Sequence, residues 1–217
     1  MPSTETRLNQ DEILVSRVLI VEGEDSLYFW ARACKIFTQN PIQVFFFQGN
    51  GNLRRFLKTF AARAEFGIIE SLAIIRDAET DPQAAIDSIK SSLQNANLPV
   101  PDSPFTFAEG TPRTAFLLQP GFATDAAGNR VYLTGTLEDL CLMTVEGDPC
   151  LNCVAQYIEC IEGLNEPMRW RHKMRLHAFL AGKDSYVGAK IGEAAHQGAW
   201  EWNHVALESY RSLLAAM

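Results

Sequence analysis

The chain has 217 residues, of which 47% are hydrophobic and 21% charged, and its formal net charge is −7. This composition is typical of a globular protein that is long enough to bury a core without disulfide bonds. No run of about eighteen apolar residues is present, which argues against a membrane span. Net acidity argues against a protein that coats nucleic acid through bulk charge. Five cysteines favour free thiols, and residues 1–12 lack the apolar core of a signal peptide, so we expect a cytoplasmic location.

Short apolar runs alternate with helix-like segments in the first half of the chain. The pattern predicts strands at residues 17–21, 43–47, 72–75 and 115–118, and helices at residues 27–37, from residue 52 and after residue 81. We expect Asp25 or Ser26 to cap the first helix, and Asp81, which precedes Pro82, to cap the third. The order of elements predicts an α/β fold with a mostly parallel sheet and helices on both faces.

The second half of the chain is predicted to be mainly helical. After a proline-rich connection at residues 99–112, a short strand at residues 131–133 is expected to add an antiparallel edge to the sheet. Helices are predicted at residues 137–143, 151–161, 167–181 and 204–216. We therefore expect an α/β domain at residues 14–145, with a C-terminal helical extension at residues 146–217 packed on it.

Carboxylates follow two of the predicted strands. Glu22 comes directly after the first strand, and Asp77 and Glu79 come after the third. Ligands of open α/β sheets bind outside the carboxyl ends of the strands, so these residues are candidates for a site. Residues two apart in an extended segment point to the same side, which would turn both Asp77 and Glu79 toward Glu22. Such carboxylates raise one another's pKa, and a hard dication such as Mg²⁺ relieves their repulsion.

These elements resemble the Toprim superfamily, the catalytic domain shared by topoisomerases, primases and OLD-type nucleases, over residues 17–142. In that superfamily an apolar strand ends in Glu-Gly, as at Glu22, and a later strand ends in Asp-x-Asp. This chain departs from the pattern because Glu79 stands in the place of the second Asp. Residues 135–139, Gly-Thr-Leu-Glu-Asp, resemble a late Gly-x-Leu-Glu element of the OLD-like members. The resemblance extends to a small uncharacterised Toprim-like family with a helical tail similar to residues 171–202.

The resemblance implies a Toprim/Rossmann-like domain that uses Mg²⁺ or Mn²⁺ for phosphoryl transfer, as a nuclease acting on DNA or RNA. It implies that the metal is held by Glu22, Asp77, Glu79 and Glu138. Glu22 would also act as a general base or acid, and Lys173 would supply the basic residue that related families carry in their helical tail. A topoisomerase or a primase would need further domains or modules.

Two other hypotheses remain open. The protein could be a non-catalytic or regulatory module that uses the same carboxylates to hold a metal or a nucleotide. Such a module would work with a separate ATPase of the OLD/ABC type, and the Asp77-x-Glu79 departure favours it. Alternatively, an unrelated Rossmann-like protein could bind the ribose hydroxyls of a small molecule through its strand-end acids.

A glycine-rich loop at residues 48–52 connects the second strand to the next helix. Glycines before a helix allow backbone N–H groups to approach a phosphate, which makes Gly49, Gly51 and Arg54 candidate phosphate contacts. A simple tight turn is the alternative.

Three further patterns have structural as well as functional interpretations. Cysteines and apolar residues recur at steps of three or four, which predicts a buried helical stripe rather than a zinc site; they are Cys150, Cys153, Tyr157, Cys160 and Leu164. Thr136 and Asp139 match a helix capping box. The basic segment at residues 169–175 is predicted to be a solvated helix face or a contact to a nucleic-acid backbone.

Overall fold

A computed structural model describes residues 8, 10–49 and 51–217. Most of residues 1–12, on which the expected lack of a signal peptide depends, and residue 50 of the glycine-rich loop lie outside this described part.

The centre of the fold is a five-stranded sheet in which three of the four strand pairs are parallel, as the sequence predicted. Its strands are β1 (Arg17–Val21), β2 (Gln43–Phe46), β3 (Ser71–Asp77), β4 (Phe107–Ala108) and β5 (Arg113–Gln119). Their order is β2-β1-β3-β5-β4, so β1 and β3 occupy central positions and β2 lies at one edge. The carboxyl ends of β1 and β3 therefore lie side by side.

The antiparallel edge of this sheet is formed by a segment that the sequence analysis placed in the proline-rich connection. β4 pairs antiparallel with β5. The strand expected at that edge, β7 (Arg130–Tyr132), instead pairs with β6 (Phe122–Thr124) in a separate two-stranded sheet. The turn between them explains the difference, because the Asp125 carboxylate accepts hydrogen bonds from the backbone N–H groups of Ala127 and Asn129 and so favours local pairing.

Helices cover both faces of the main sheet, as expected. α2 (Leu53–Ala61) and α3 (Pro82–Asn95) contribute to the hydrophobic cluster on one face, and α1 (Glu24–Phe37) to the cluster on the other. Asp81 caps α3 by accepting a hydrogen bond from the Ala84 N–H group at 3.0 Å, which confirms that prediction. The predicted cap of α1 is wrong, because the N-cap is Gly23 and Asp25 lies within the first turn.

The C-terminal half forms five α-helices among the described residues, and they pack on the same face as α1. They are α4 (Leu137–Met143), α5 (Cys150–Gly163), α6 (Arg171–Ala181), α7 (Ile191–Gln197) and α8 (Glu208–Ala215). No helix in the described part of the chain is both long and apolar enough to cross a bilayer. The proposed boundary between residues 145 and 146 stays a prediction.

The cysteine stripe on α5 is exposed, so its interpretation as a buried face was wrong. The buried residues of α5 are Val154 and Ile158, whereas Cys153 and Cys160 are exposed. Val154 and Ile158 come directly after Cys153 and Tyr157 of the stripe. The face of α5 next to the stripe is therefore the one that packs against the core. All five cysteines of the chain are free.

The sequence analysis missed α7 because it is short and has few apolar residues. This helix packs against α1 at Gly192, where an added Cβ atom would lie only 2.3 Å from the Cβ atom of Tyr28. A glycine is therefore required where α7 crosses α1.

Gly192→Ala should lower the free energy of unfolding by about 1–3 kcal/mol, because the new methyl group would force α1 and α7 apart. Chemical denaturation would measure the loss. Gly163→Ala is the matched control, since open space surrounds Gly163 and alanine favours helix. Equal stability of the two variants would contradict the close packing.

Candidate active site

The ends of β1 and β3 bring Glu22 and Asp77 together. Glu22 is buried, and its Oε2 atom lies 3.4 Å from the backbone N–H group of Asp77, which donates to it. The same Oε2 atom lies 3.6 Å from Nε of Arg76, a buried cation within β3. The parallel register therefore places the Glu22 carboxylate against the Asp77 backbone. The sequence analysis predicted that the two residues lie at the same edge of the sheet, but not this contact.

The Asp77 carboxylate is held by two donors from distant parts of the chain. Its Oδ1 atom accepts hydrogen bonds from Nε2 of Gln119 at 2.6 Å and from the backbone N–H group of Leu137 at 2.9 Å. Gln119 ends β5, and its own Oε1 atom accepts a hydrogen bond from Nε1 of Trp30 at 3.1 Å. The Trp30 contact fixes the orientation of the Gln119 amide, which in turn orients Asp77.

The first turn of α4 adds Glu138 to this edge of the sheet. The predicted capping box is present, since the Asp139 carboxylate accepts a hydrogen bond from the Thr136 N–H group at 2.9 Å. Glu138 follows Leu137, the residue whose amide contacts Asp77. Its buried carboxylate contacts Nζ of Lys173 on α6. The structure thus joins two residues that the sequence analysis had linked only through the family resemblance.

Glu79 does not continue the strand, so the expected extended alternation from Asp77 to Glu79 is wrong. β3 ends at Asp77, and Glu79 adopts a left-handed conformation with φ of 54°. Its backbone exchanges hydrogen bonds with Gly135 at 2.8 and 2.7 Å, which anchors the segment that leads into α4. The Glu79 carboxylate nevertheless lies near enough to raise the pKa values of Glu22 and Asp77 through its charge.

Crowding of these carboxylates changes their ionisation. Burial, followed by the charge of Glu22, raises the pKa of Asp77 to about 8 despite the hydrogen bond from Gln119. Burial also raises the pKa of Glu22, and the nearby Arg76 opposes this rise. Burial acts in the same direction on Glu138, but the hydrogen bond and charge of Lys173 outweigh it and lower the pKa of Glu138.

The donor set fits a hard divalent cation chemically, because it consists of carboxylate oxygens that repel one another. The side chains are not arranged as a preformed cluster: within residues 8, 10–49 and 51–217, no three His, Cys, Asp or Glu residues are placed to hold a metal ion. Glu22 lies against Arg76, and Glu138 contacts Lys173. Metal binding would therefore require these two carboxylates to exchange their cation partners for the metal.

The glycine-rich loop lies at the same sheet edge, after β2. Gly49 has φ of 75°, and the Asn52 side chain donates to the Gln48 carbonyl, as in a tight turn. Arg54 instead contacts Oδ1 of Asn95 at the end of α3. The phosphate contacts of Gly49, Gly51 and Arg54 stay predictions.

Sequence analysis missed three charged or polar residues near the site, Arg76, Gln119 and Lys190, and treated Asp25 only as a helix cap. Arg76 and Gln119 had a recognisable signal, because each is a polar residue within or directly after a run of apolar strand residues. Lys190 had none, since only the packing of α7 on α1 brings it near Asp25. Burial raises the pKa of Asp25, and the charge of Lys190 opposes this shift.

Asp77→Asn should abolish a pH dependence of stability in metal-free buffer. Between the ordinary pKa of 3.8 and about 8, folded Asp77 retains a proton that the unfolded chain loses. The free energy of unfolding of the wild type therefore falls as pH rises through this window. The asparagine variant should be more stable at pH 8 by about 1–3 kcal/mol, as measured by denaturation in a chelating buffer.

Asp87→Asn is the control, because it removes an exposed carboxylate of α3 that accepts a hydrogen bond from Gln83. This variant retains Asp77, so its free energy of unfolding should still fall as pH rises through the same window. The same fall in Asp77→Asn would contradict the raised pKa of Asp77.

Comparison with known proteins assigns the chain to a family but to no activity. One family model, described as "Protein of unknown function (DUF3226)", matches residues 16–216. The match spans both the α/β part and the C-terminal helices, so Lys173 and Glu138 fall within one family unit. Searches of curated proteins and of solved structures gave no match. The chain therefore belongs to the DUF3226 family.

Proposed function

We propose that this protein is a Toprim-like, Mg²⁺- or Mn²⁺-dependent phosphoryl-transfer enzyme, specifically a nuclease acting on DNA or RNA. One observation carries the proposal: Glu22 and Asp77 end adjacent parallel strands, and the Leu137 amide ties Asp77 to the helix turn that presents Glu138. Strand-end carboxylates at this edge of an α/β sheet are suited to binding a ligand and a hard cation. The five free thiols support the proposed cytoplasmic location, because cysteines stay reduced in that compartment.

In this proposal Glu22, Asp77, Glu79 and Glu138 hold the cation. When bound there, a divalent cation would polarise a phosphoryl oxygen and activate water. Glu22 can hold a proton near neutral pH more readily than an exposed glutamate, because burial raises its pKa, and this suits a general acid or base. Lys173 is half-exposed and its ammonium group contacts Glu138, so the same group can also contact a phosphate oxygen bound beside Glu138.

A titration with Mn²⁺ or Mg²⁺ tests the metal site without any assumption about substrate. Wild type should show heat of binding in calorimetry and a higher melting temperature, and a tenfold excess over Kd corresponds to about 1.4 kcal/mol of stabilisation. Asp77→Asn should lose both signals, whereas Asp87→Asn should retain them. If wild type binds neither cation at millimolar concentration, the proposal fails.

Variants that each remove one carboxylate charge test whether these residues are needed for catalysis. Glu22→Gln, Asp77→Asn and Glu79→Gln should each reduce Mn²⁺-dependent cleavage of DNA or RNA at least about a hundredfold, because each removes a proposed metal ligand. Cleavage would be followed with labelled single-stranded and duplex substrates, again with Asp87→Asn as control. Activity that persists in all three variants would show that it arises elsewhere.

A second candidate is a regulatory module that works with a separate ATPase. It is favoured by the ion pairs of Glu22 with Arg76 and of Glu138 with Lys173, which neutralise two of the carboxylates without a metal. The same measurements separate the two functions. Metal binding without cleavage of any nucleic acid would support the module, and cleavage by the purified protein alone would exclude it as the sole function.

A further inference from the structure

A cleft of about 460 Å³ lies between the carboxyl end of β2 and the exposed side of α2. We call it the β2–α2 cleft. The residues that line it include Phe47, Gln48, Asn52, Arg55 and Phe56. Its volume is in the range of pockets that bind nucleotide-sized ligands. No acidic side chain lines it within the described part of the chain.

The aromatic wall of the cleft is held in place by ring packing. Phe56 is half-buried, and its ring stacks on Phe60 with centroids 5.4 Å apart and an interplanar angle of 15°. The ring centroids of Phe47 and Phe56 lie 6.2 Å apart, with an interplanar angle of 46°. A fixed, partly exposed ring can stack on a nucleobase at low entropic cost.

The charge of the cleft is opposite to that of the whole protein. α2 carries Arg54, Arg55 and Lys58 and no acidic residue, although the chain has a net charge of −7. Arg54 contacts Asn95, but the guanidinium of Arg55 is exposed and has no hydrogen-bond or ion-pair partner among the described residues. The cleft thus combines an exposed guanidinium with an aromatic ring, and Gln48 and Asn52 also line it.

The cleft lies one strand away from the candidate active site. The backbone N–H group of Phe47 donates to the Val21 carbonyl at 3.0 Å, so the end of β2 runs beside the end of β1. Glu22 follows Val21, which places it about one strand spacing, roughly 5 Å, from the floor of the cleft. A nucleic-acid strand bound in the cleft would reach the carboxylate cluster.

We propose that the β2–α2 cleft binds an unpaired base of single-stranded nucleic acid. The ring of Phe56 stacks on the base, and Arg55 contacts the adjacent phosphate. A paired base inside a duplex cannot offer its face to the ring, so the cleft selects single strands. The role of this binding in cleavage rests on the proposed function, whereas the binding itself requires no metal.

The test is fluorescence anisotropy in a chelating buffer with three probes: a short oligothymidylate, an abasic strand of the same length, and a duplex. Wild type should bind oligothymidylate at least about fivefold more tightly than the abasic strand or the duplex. Phe56→Leu, which keeps an apolar contact to Phe60, should abolish this preference for bases. Arg55→Gln should weaken binding of all single strands about fivefold, which corresponds to the loss of one phosphate contact.

Lys58→Gln is the matched control, because Lys58 is an exposed cation of the same helix that does not line the cleft. It should change affinity less than twofold. Equal losses for Arg55→Gln and Lys58→Gln, an absent preference for bases, or no binding by wild type would each overturn the proposal. Melting curves confirm that each variant folds, and Arg55→Gln, at an exposed position, keeps the test valid if Phe56→Leu does not fold.

The outcomes also separate this inference from the proposed function. Asp87→Asn should bind oligothymidylate as wild type does in chelator, because Asp87 lies outside both the cleft and the carboxylate cluster. Base-selective binding without metal-dependent cleavage would leave the cleft proposal standing and contradict the nuclease. Cleavage that is unaffected by Phe56→Leu and Arg55→Gln would support the nuclease and contradict the cleft.

Discussion

The hydrogen bond from the Leu137 amide to the Asp77 carboxylate joins two segments that are sixty residues apart in the chain. It fixes the start of α4 against the end of β3, and therefore determines where Glu138 lies. The Glu79–Gly135 bridge reinforces the same junction through the backbone. Without this junction, the carboxylates of the sheet edge and that of α4 would belong to separate surfaces.

Bringing these acids together has an electrostatic cost that the fold offsets in three ways. Arg76 lies beside Glu22, Lys173 contacts Glu138, and Asp77 retains a proton to about pH 8. A metal ion would compete with all three, because it needs the carboxylates ionised and free of their cation partners. In the proposed function, the proton on Asp77 and the two cation partners would reduce the negative charge of the site without metal, and a bound dication would replace them.

The two proposed binding regions both lie at the carboxyl ends of strands, but their side chains carry opposite charges. Acidic side chains gather at the central strands β1 and β3, whereas aromatic and cationic side chains gather at the edge strand β2 and on α2. This separation explains how an acidic protein could still bind a polyanion, since α2 carries three cations and no acidic residue. The cleft would bind the strand, and the carboxylates would act on the phosphodiester.

Sequence alone determined the α/β fold class, the main strands, the Asp81 cap and the position of Glu22 and Asp77 at strand ends, because these features follow from local periodicity and capping chemistry. Only the tertiary structure decided which face of α5 is buried, the left-handed conformation of Glu79 and the contact between Glu138 and Lys173. It also added α7, whose packing depends on the absence of a side chain at Gly192. These features depend on contacts between distant segments, and a local pattern carries no information about which distant surface a residue will meet.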